Sequence, residues 1–130
     1  MWRDMLMKWG PMLAFYLLWP AAALVVWGEV KPDAGEIEHL IWDKALHFIA
    51  YFGLGGLICV ALKAERRVIP AILGLALFGG VLEIVQGFTG RDPSLRDELA
   101  NILGAICGAG IGWLLLRALR PKILAFARRD

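Results

Sequence analysis

Residues Gly87 to Asn101, GFTGRDPSLRDELAN, set Arg91, Ser94, Asp97 and Asn101 between two of the most apolar runs in the chain. The stretch reads as a short polar loop joining two membrane-spanning helices. Working outward, Glu83 and Gln86 close the run that precedes it, and Asp43, Lys44 and His47 open an earlier one. Three helix ends therefore bring polar groups to similar depth, and this shared layer is the candidate functional site.

The flanking runs set the class. The chain has 130 residues, 59% of them hydrophobic, and a mean hydropathy of +0.63, too apolar for a soluble domain of this size. A helix crosses about 30 Å of hydrocarbon with roughly 17–25 mostly apolar residues. Four such windows fit, at 11–28, 43–62, 68–88 and 95–116. The expectation is an all-α polytopic integral membrane protein, a four-helix bundle forming one domain over residues 1–130.

Other classes find no support. Gly53-Leu54-Gly55-Gly56 follows no strand, so no nucleotide loop is read, and neither a nucleic-acid partner nor a cofactor is expected. Cys59 and Cys107 both fall inside expected spans as packing residues.

Trp9 and Trp27 bracket the first span about 27 Å apart, as interfacial aromatic belts do. Its basic head and Ala21-Ala22-Ala23 resemble a signal peptide, but apolar residues continue through Val26 with no polar cleavage region. Pro20 is expected to kink this helix without ending it. Residues 29–42 read as an acidic surface connection, with a turn at Pro32-Asp33-Ala34-Gly35 and a short amphipathic helix carrying Ile37, Leu40, Ile41 and Trp42. His39 reads there as a solvated residue.

Charge sets the orientation. Arg3, Lys8, Lys63, Arg66, Arg67, Arg117, Arg120, Lys122, Arg128 and Arg129 fall on one side, and Lys31, Lys44, Arg91 and Arg96 on the other. By the positive-inside rule both termini are cytoplasmic and the polar layer faces outward. The tail after Arg117 reads as a basic amphipathic anchor.

Within the layer, Asp43 and His47, Glu83 and Gln86, and Asp97 and Asn101 each share a helix face. Ionisable groups cost about 2.5–3.5 kcal/mol at the centre of a span, so they turn toward protein or water. Asp43, Glu83 and Asp97 balance Lys44, Arg91 and a protonated His47, with Tyr51, Gln86, Ser94 and Asn101 as neutral partners. Arg91 is expected to fold back onto Glu83 or Asp97. A metal is not expected, because one histidine among carboxylates lacks the usual zinc spacing. Gly104, Gly108 and Gly112 form a doubled G-x-x-x-G ridge, expected to meet another helix of the same chain; Gly53, Gly56, Gly79 and Gly80 offer flat surfaces.

Asp43-Lys44-x-x-His47-Phe48-x-x-Tyr51, then Glu83-x-x-Gln86, then Arg91-x-x-Ser94-x-x-Asp97-x-x-x-Asn101-x-x-Gly104 resemble the signature of the VanZ-like membrane protein family. The resemblance covers Asp43 to Gly112, leaving the first span outside it, and Glu98 stands where an apolar residue is expected. It implies a small multi-pass protein of the bacterial plasma membrane, in a family named for a factor associated with teicoplanin resistance, and it fixes no reaction. The leading expectation is a binding protein, with Asp43, Lys44, His47, Tyr51, Glu83, Gln86, Arg91, Ser94, Asp97 and Asn101 facing the head group of an anionic envelope lipid or lipid-linked precursor. The alternatives are an enzyme using His47 as general acid or base on such a lipid, and a structural or partner-assembly protein.

Overall fold

The apolar runs form helices. The computed structural model describes residues 2–31 and 40–120, and within them α1 spans Trp2–Val30, α2 Leu40–Ala61, α3 Val68–Gln86 and α4 Leu95–Leu119. The protein is all-α, and each of these four helices is long and apolar enough to cross a membrane. Most large apolar side chains face outward, Leu77, Phe88 and Leu95 among them, because acyl chains replace the core that water would otherwise demand.

The helix boundaries depart from the hydropathy windows in ways that matter. α1 begins at Trp2 and runs unbroken through Pro11 and Pro20 to Val30, beyond the 11–28 window at both ends. Backbone hydrogen bonding continues past the hydrocarbon edge, so a helix is longer than its apolar stretch. One consequence is that Glu29 belongs to α1 and is buried, instead of opening a solvated acidic connection. α2 starts at Leu40, ahead of Asp43, and α3 stops at Gln86 instead of residue 88. The turn at 32–35, the surface helix before residue 40, His39 and the tail after Arg120 lie outside the described residues.

α2 and α4 make the most extensive contact of the bundle; α1 lies chiefly against α2 and α3 chiefly against α4. The seam is built from glycines. A methyl group on Gly104 would collide with the Phe48 carbonyl, one on Gly108 with the Phe52 carbonyl, and one on Gly112 would sit 3.1 Å from the Gly56 carbonyl oxygen. Gly55 packs as tightly on the Ala105 backbone. Residue numbers climb together on both helices, so α2 and α4 run parallel, and the expected intramolecular role of the glycine ridge holds. Gly53, by contrast, has no neighbour within 4 Å and does not serve the seam.

The two ends of the bundle differ in chemistry. At the α2–α3 turn, Lys63 and Ala64 take left-handed φ angles of 55° and 54°, and their N–H groups return to Val60 and Cys59 carbonyls. Arg120 Nη2 donates to the Lys63 carbonyl at 3.0 Å, Arg3 donates to the Ala118 carbonyl, and Arg67 Nη2 donates to Glu65 Oε2 at 2.7 Å. That guanidinium holds the exposed Glu65 carboxyl below the usual glutamate range. At the opposite end, the Gln86 carbonyl accepts from Thr89 N, Thr89 Oγ1 and Arg91 N. Gly90, at φ +87°, supplies a left-handed step in the turn that leads from α3 into α4.

Candidate functional site

Four elements meet at the second end. The C-terminal turn of α1 supplies Glu29, the first turns of α2 Asp43, Lys44, His47 and Tyr51, the last turn of α3 Glu83 and Gln86, and the start of α4 Asp97, Glu98 and Asn101; the α3–α4 turn adds Arg91 and Ser94. The sequence places these groups here because each apolar run ends or begins with its polar residues at the same bundle end.

His47 is the hub. It is 4% exposed, and its Nδ1 lies 3.0 Å from Asn101 Oδ1, 3.5 Å from Glu29 Oε1 and 3.9 Å from Glu83 Oε1. Asn101 Nδ2 donates to Glu98 Oε2 at 3.3 Å, which leaves the amide oxygen to face the imidazole. Reversing that amide would set its oxygen against a carboxylate. Nδ1 thus looks out on three oxygens, and Nε2 faces Asp43 Oδ1 at 4.0 Å.

The cations stand at the rim. Arg91 Nη2 donates to Asp43 Oδ1 at 2.9 Å, with the Arg91 side chain 17% exposed, and Lys44 Nζ sits 3.6 Å from Asp97 Oδ1 with its side chain 28% exposed. Arg91 thus turns to α2, not to Glu83 or Asp97 as the sequence suggests. Its backbone N–H, fixed on the Gln86 carbonyl, aims the side chain across the bundle, and Glu83 already has another partner: its Oε2 accepts from the Ser94 backbone N–H at 2.9 Å. Ser94 contributes that amide to the layer, and as N-cap of α4 its side chain makes no capping bond.

Beneath the rim, polar atoms outnumber their partners. Both Glu29 carboxylate oxygens, Glu83 Oε1, Asp97 Oδ1, Gln86 Nε2 and the Tyr51 hydroxyl are buried with no hydrogen-bond partner among the described residues. Buried polar groups normally find one, and each orphan costs about 1–3 kcal/mol. Glu29, Asp43, Glu83, Asp97 and Glu98 contribute five carboxylates against the permanent cations Lys44 and Arg91. Ligand atoms on Asp43, His47 and Asp97 lie within 4.8 Å of one another, close enough for a metal ion.

All ten residues singled out from sequence lie at this end, in the helix turns and loop just described. Glu29 and Glu98 were not singled out as members of the layer. Glu29 carried a usable signal: it follows Trp27 by half a turn, and in the antiparallel neighbour of α2 that depth is level with His47. Glu98 carried one too, as a carboxylate three residues before Asn101 on a helix face otherwise turned inward.

Four membrane-length helices that gather their buried ionisable side chains at one bundle end define a small multi-pass membrane protein with a buried charge cluster. The chain belongs to the VanZ/LLP1 family, whose model matches residues 4–117. The match runs through α1 as well as α2 to α4, wider than the motif region 43–112 alone. No curated protein and no solved structure matches the chain.

Proposed function

We propose that this multi-pass protein resides in the bacterial plasma membrane with both termini cytoplasmic, and that its polar end faces outward to bind the head group of an anionic envelope lipid or lipid-linked precursor. One observation carries this reading. Lys44 and Arg91 stand partly exposed at the rim, each steadied by a carboxylate, above a buried floor of hydrogen-bonding groups. A phosphate approaching from the membrane surface meets the guanidinium fork and the ammonium first. Asp97 and Asp43 hold those cations in place, and the floor offers both donors and acceptors to the remainder of the head group. If the lipid is a wall precursor, its occupancy here competes with glycopeptide antibiotics for the same molecule.

The test is photo-crosslinking of the purified chain to a photoactivatable anionic phospholipid. Arg91→Ala is expected to weaken capture about tenfold, a loss of about 1.4 kcal/mol, while Arg117→Ala at the other bundle end leaves it intact. Equal capture by wild type and Arg91→Ala refutes the reading.

A second reading, an enzyme acting on such a lipid, draws on the imidazole of His47 held between Asn101 and Asp43. Turnover of a labelled lipid by the pure protein, abolished in His47→Ala, separates catalysis from binding.

A further inference from the structure

We propose that Asp43, His47 and Asp97 form a site for one divalent transition-metal cation of the Zn2+ type. The inference stands apart from the lipid reading and needs no lipid to test.

Three observations converge. The first is the orientation of His47. Its Nδ1 faces Asn101 Oδ1, Glu29 Oε1 and Glu83 Oε1, which sets the ring so that Nε2 points toward Asp43 Oδ1 at 4.0 Å. Metal-binding histidines are prepared this way, with one nitrogen donating to an oxygen so that the other can ligate. Asn101, itself oriented by Glu98, is the positioning residue.

The second is Asp97, a 6% exposed member of the trio, whose Oδ1 is ion-paired with Lys44 but has no hydrogen-bond partner among the described residues. A nearly dehydrated carboxylate oxygen without a donor is what a cation removes from the ledger of unmet needs. Lys44 Nζ, at the rim 3.6 Å away, balances its charge from beyond hydrogen-bonding reach.

The third is spacing. Atoms within 4.8 Å of one another admit a common centre at most about 2.8 Å from each. Closing by roughly 0.6–0.8 Å reaches the ~2.0–2.2 Å typical of zinc bonds to nitrogen and carboxylate oxygen. The donor set, one imidazole nitrogen and two carboxylate oxygens, suits Zn2+ or Mn2+ better than the all-oxygen preference of Mg2+ and Ca2+. Three protein ligands leave a fourth position open to water or an added ligand. The other carboxylates fit as well: Glu29 and Glu83 lie on the Nδ1 side and strengthen the imidazole as a ligand, and Arg91 remains on Asp43 as the outer partner.

The full chain, purified in detergent and stripped with chelator, is titrated with Zn2+ by calorimetry and with Co2+ by visible absorption. One saturating equivalent and the bands of a low-coordinate Co2+ ion are expected. Asp97→Asn and His47→Gln weaken uptake more than tenfold, and Asn101→Ala, which releases the imidazole, weakens it about 10–100-fold. Should those variants fail to fold, 15N-imidazole spectra of a His39→Gln protein report on His47 alone. Zn2+ then shifts Nε2 while Nδ1 keeps its proton. No saturable uptake by folded wild type, undiminished uptake by folded Asp97→Asn, or an Nε2 that bears hydrogen before and after metal each overturns the proposal.

Discussion

Replacing Gly108 by alanine puts a methyl group against backbone, where nothing flexible can yield. Besides striking the Phe52 carbonyl oxygen, the new carbon would lie 2.7 Å from the carbonyl carbon of Phe52 and 3.0 Å from the Gly56 nitrogen, against an ordinary contact distance of 3.4 Å or more. Because those atoms are helix backbone, relief requires α2 and α4 to separate by about an ångström. Overpacking of this kind costs about 1–3 kcal/mol. The displacement also reaches the polar end, two turns away on α4, where Asn101 must stay 3.0 Å from His47. Gly110 is the matched control, since an added methyl there has no neighbour within 4 Å and only improves helix propensity, by up to about 1 kcal/mol. Thermal unfolding of both variants in one detergent, followed by circular dichroism, is expected to place Gly108→Ala several degrees below wild type and Gly110→Ala at or above it. If the two melt together, the seam described for α2 and α4 is wrong.

Two further outcomes concern the opposite end. Ala64→Gly removes a left-handed alanine at φ 54° from the α2–α3 turn and should stabilise the protein by about 0.5–1 kcal/mol after the added freedom of the unfolded chain is subtracted, read as a higher melting temperature; a fall would refute the strain. The Glu65–Arg67 pair lowers the Glu65 pKa on folding, so its small stabilisation is complete above the unfolded glutamate value of about 4.3 and disappears as pH falls through the lower folded value. Glu65→Gln should therefore differ from wild type in melting temperature at neutral pH and coincide with it in strong acid, and a difference that grows in acid would contradict the sign.

The helices were legible because hydropathy over membrane-length windows is a strong signal, and because lipid excludes other spanning structures built from unpaired backbone. The shared depth of His47, Glu83 and Asn101 followed from helix direction alone. Pairing was less legible. Arg91 can reach any of several carboxylates, and its choice of Asp43 depends on the Gly90 turn and on the Ser94 amide already occupying Glu83, facts of three-dimensional closure. Glu29 escaped because hydropathy marks the edge of the oil and not the end of the helix. The glycine ridge was recognisable as a contact surface, but that α2 was its partner, through Gly55 and Gly56 and not Gly53, depended on rotation about the helix axes.

That α2 packs chiefly on α4, the last helix to be made, bears on the order of assembly. Nascent chain leaves the ribosome from its N-terminus, so α2 enters the bilayer before the segment it needs most has been made. Phe48 and its contact Gly104 are 56 positions apart, an interval on the order of several seconds at ordinary translation rates. For most of it, His47 and Asp43 lack Asn101 and Arg91, and their hydration must come from the translocon or the membrane surface. Insertion of the last helix is thus the step that commits the second one to its depth, and a ribosome stalled before residue 95 leaves an intermediate whose second helix remains within reach of water.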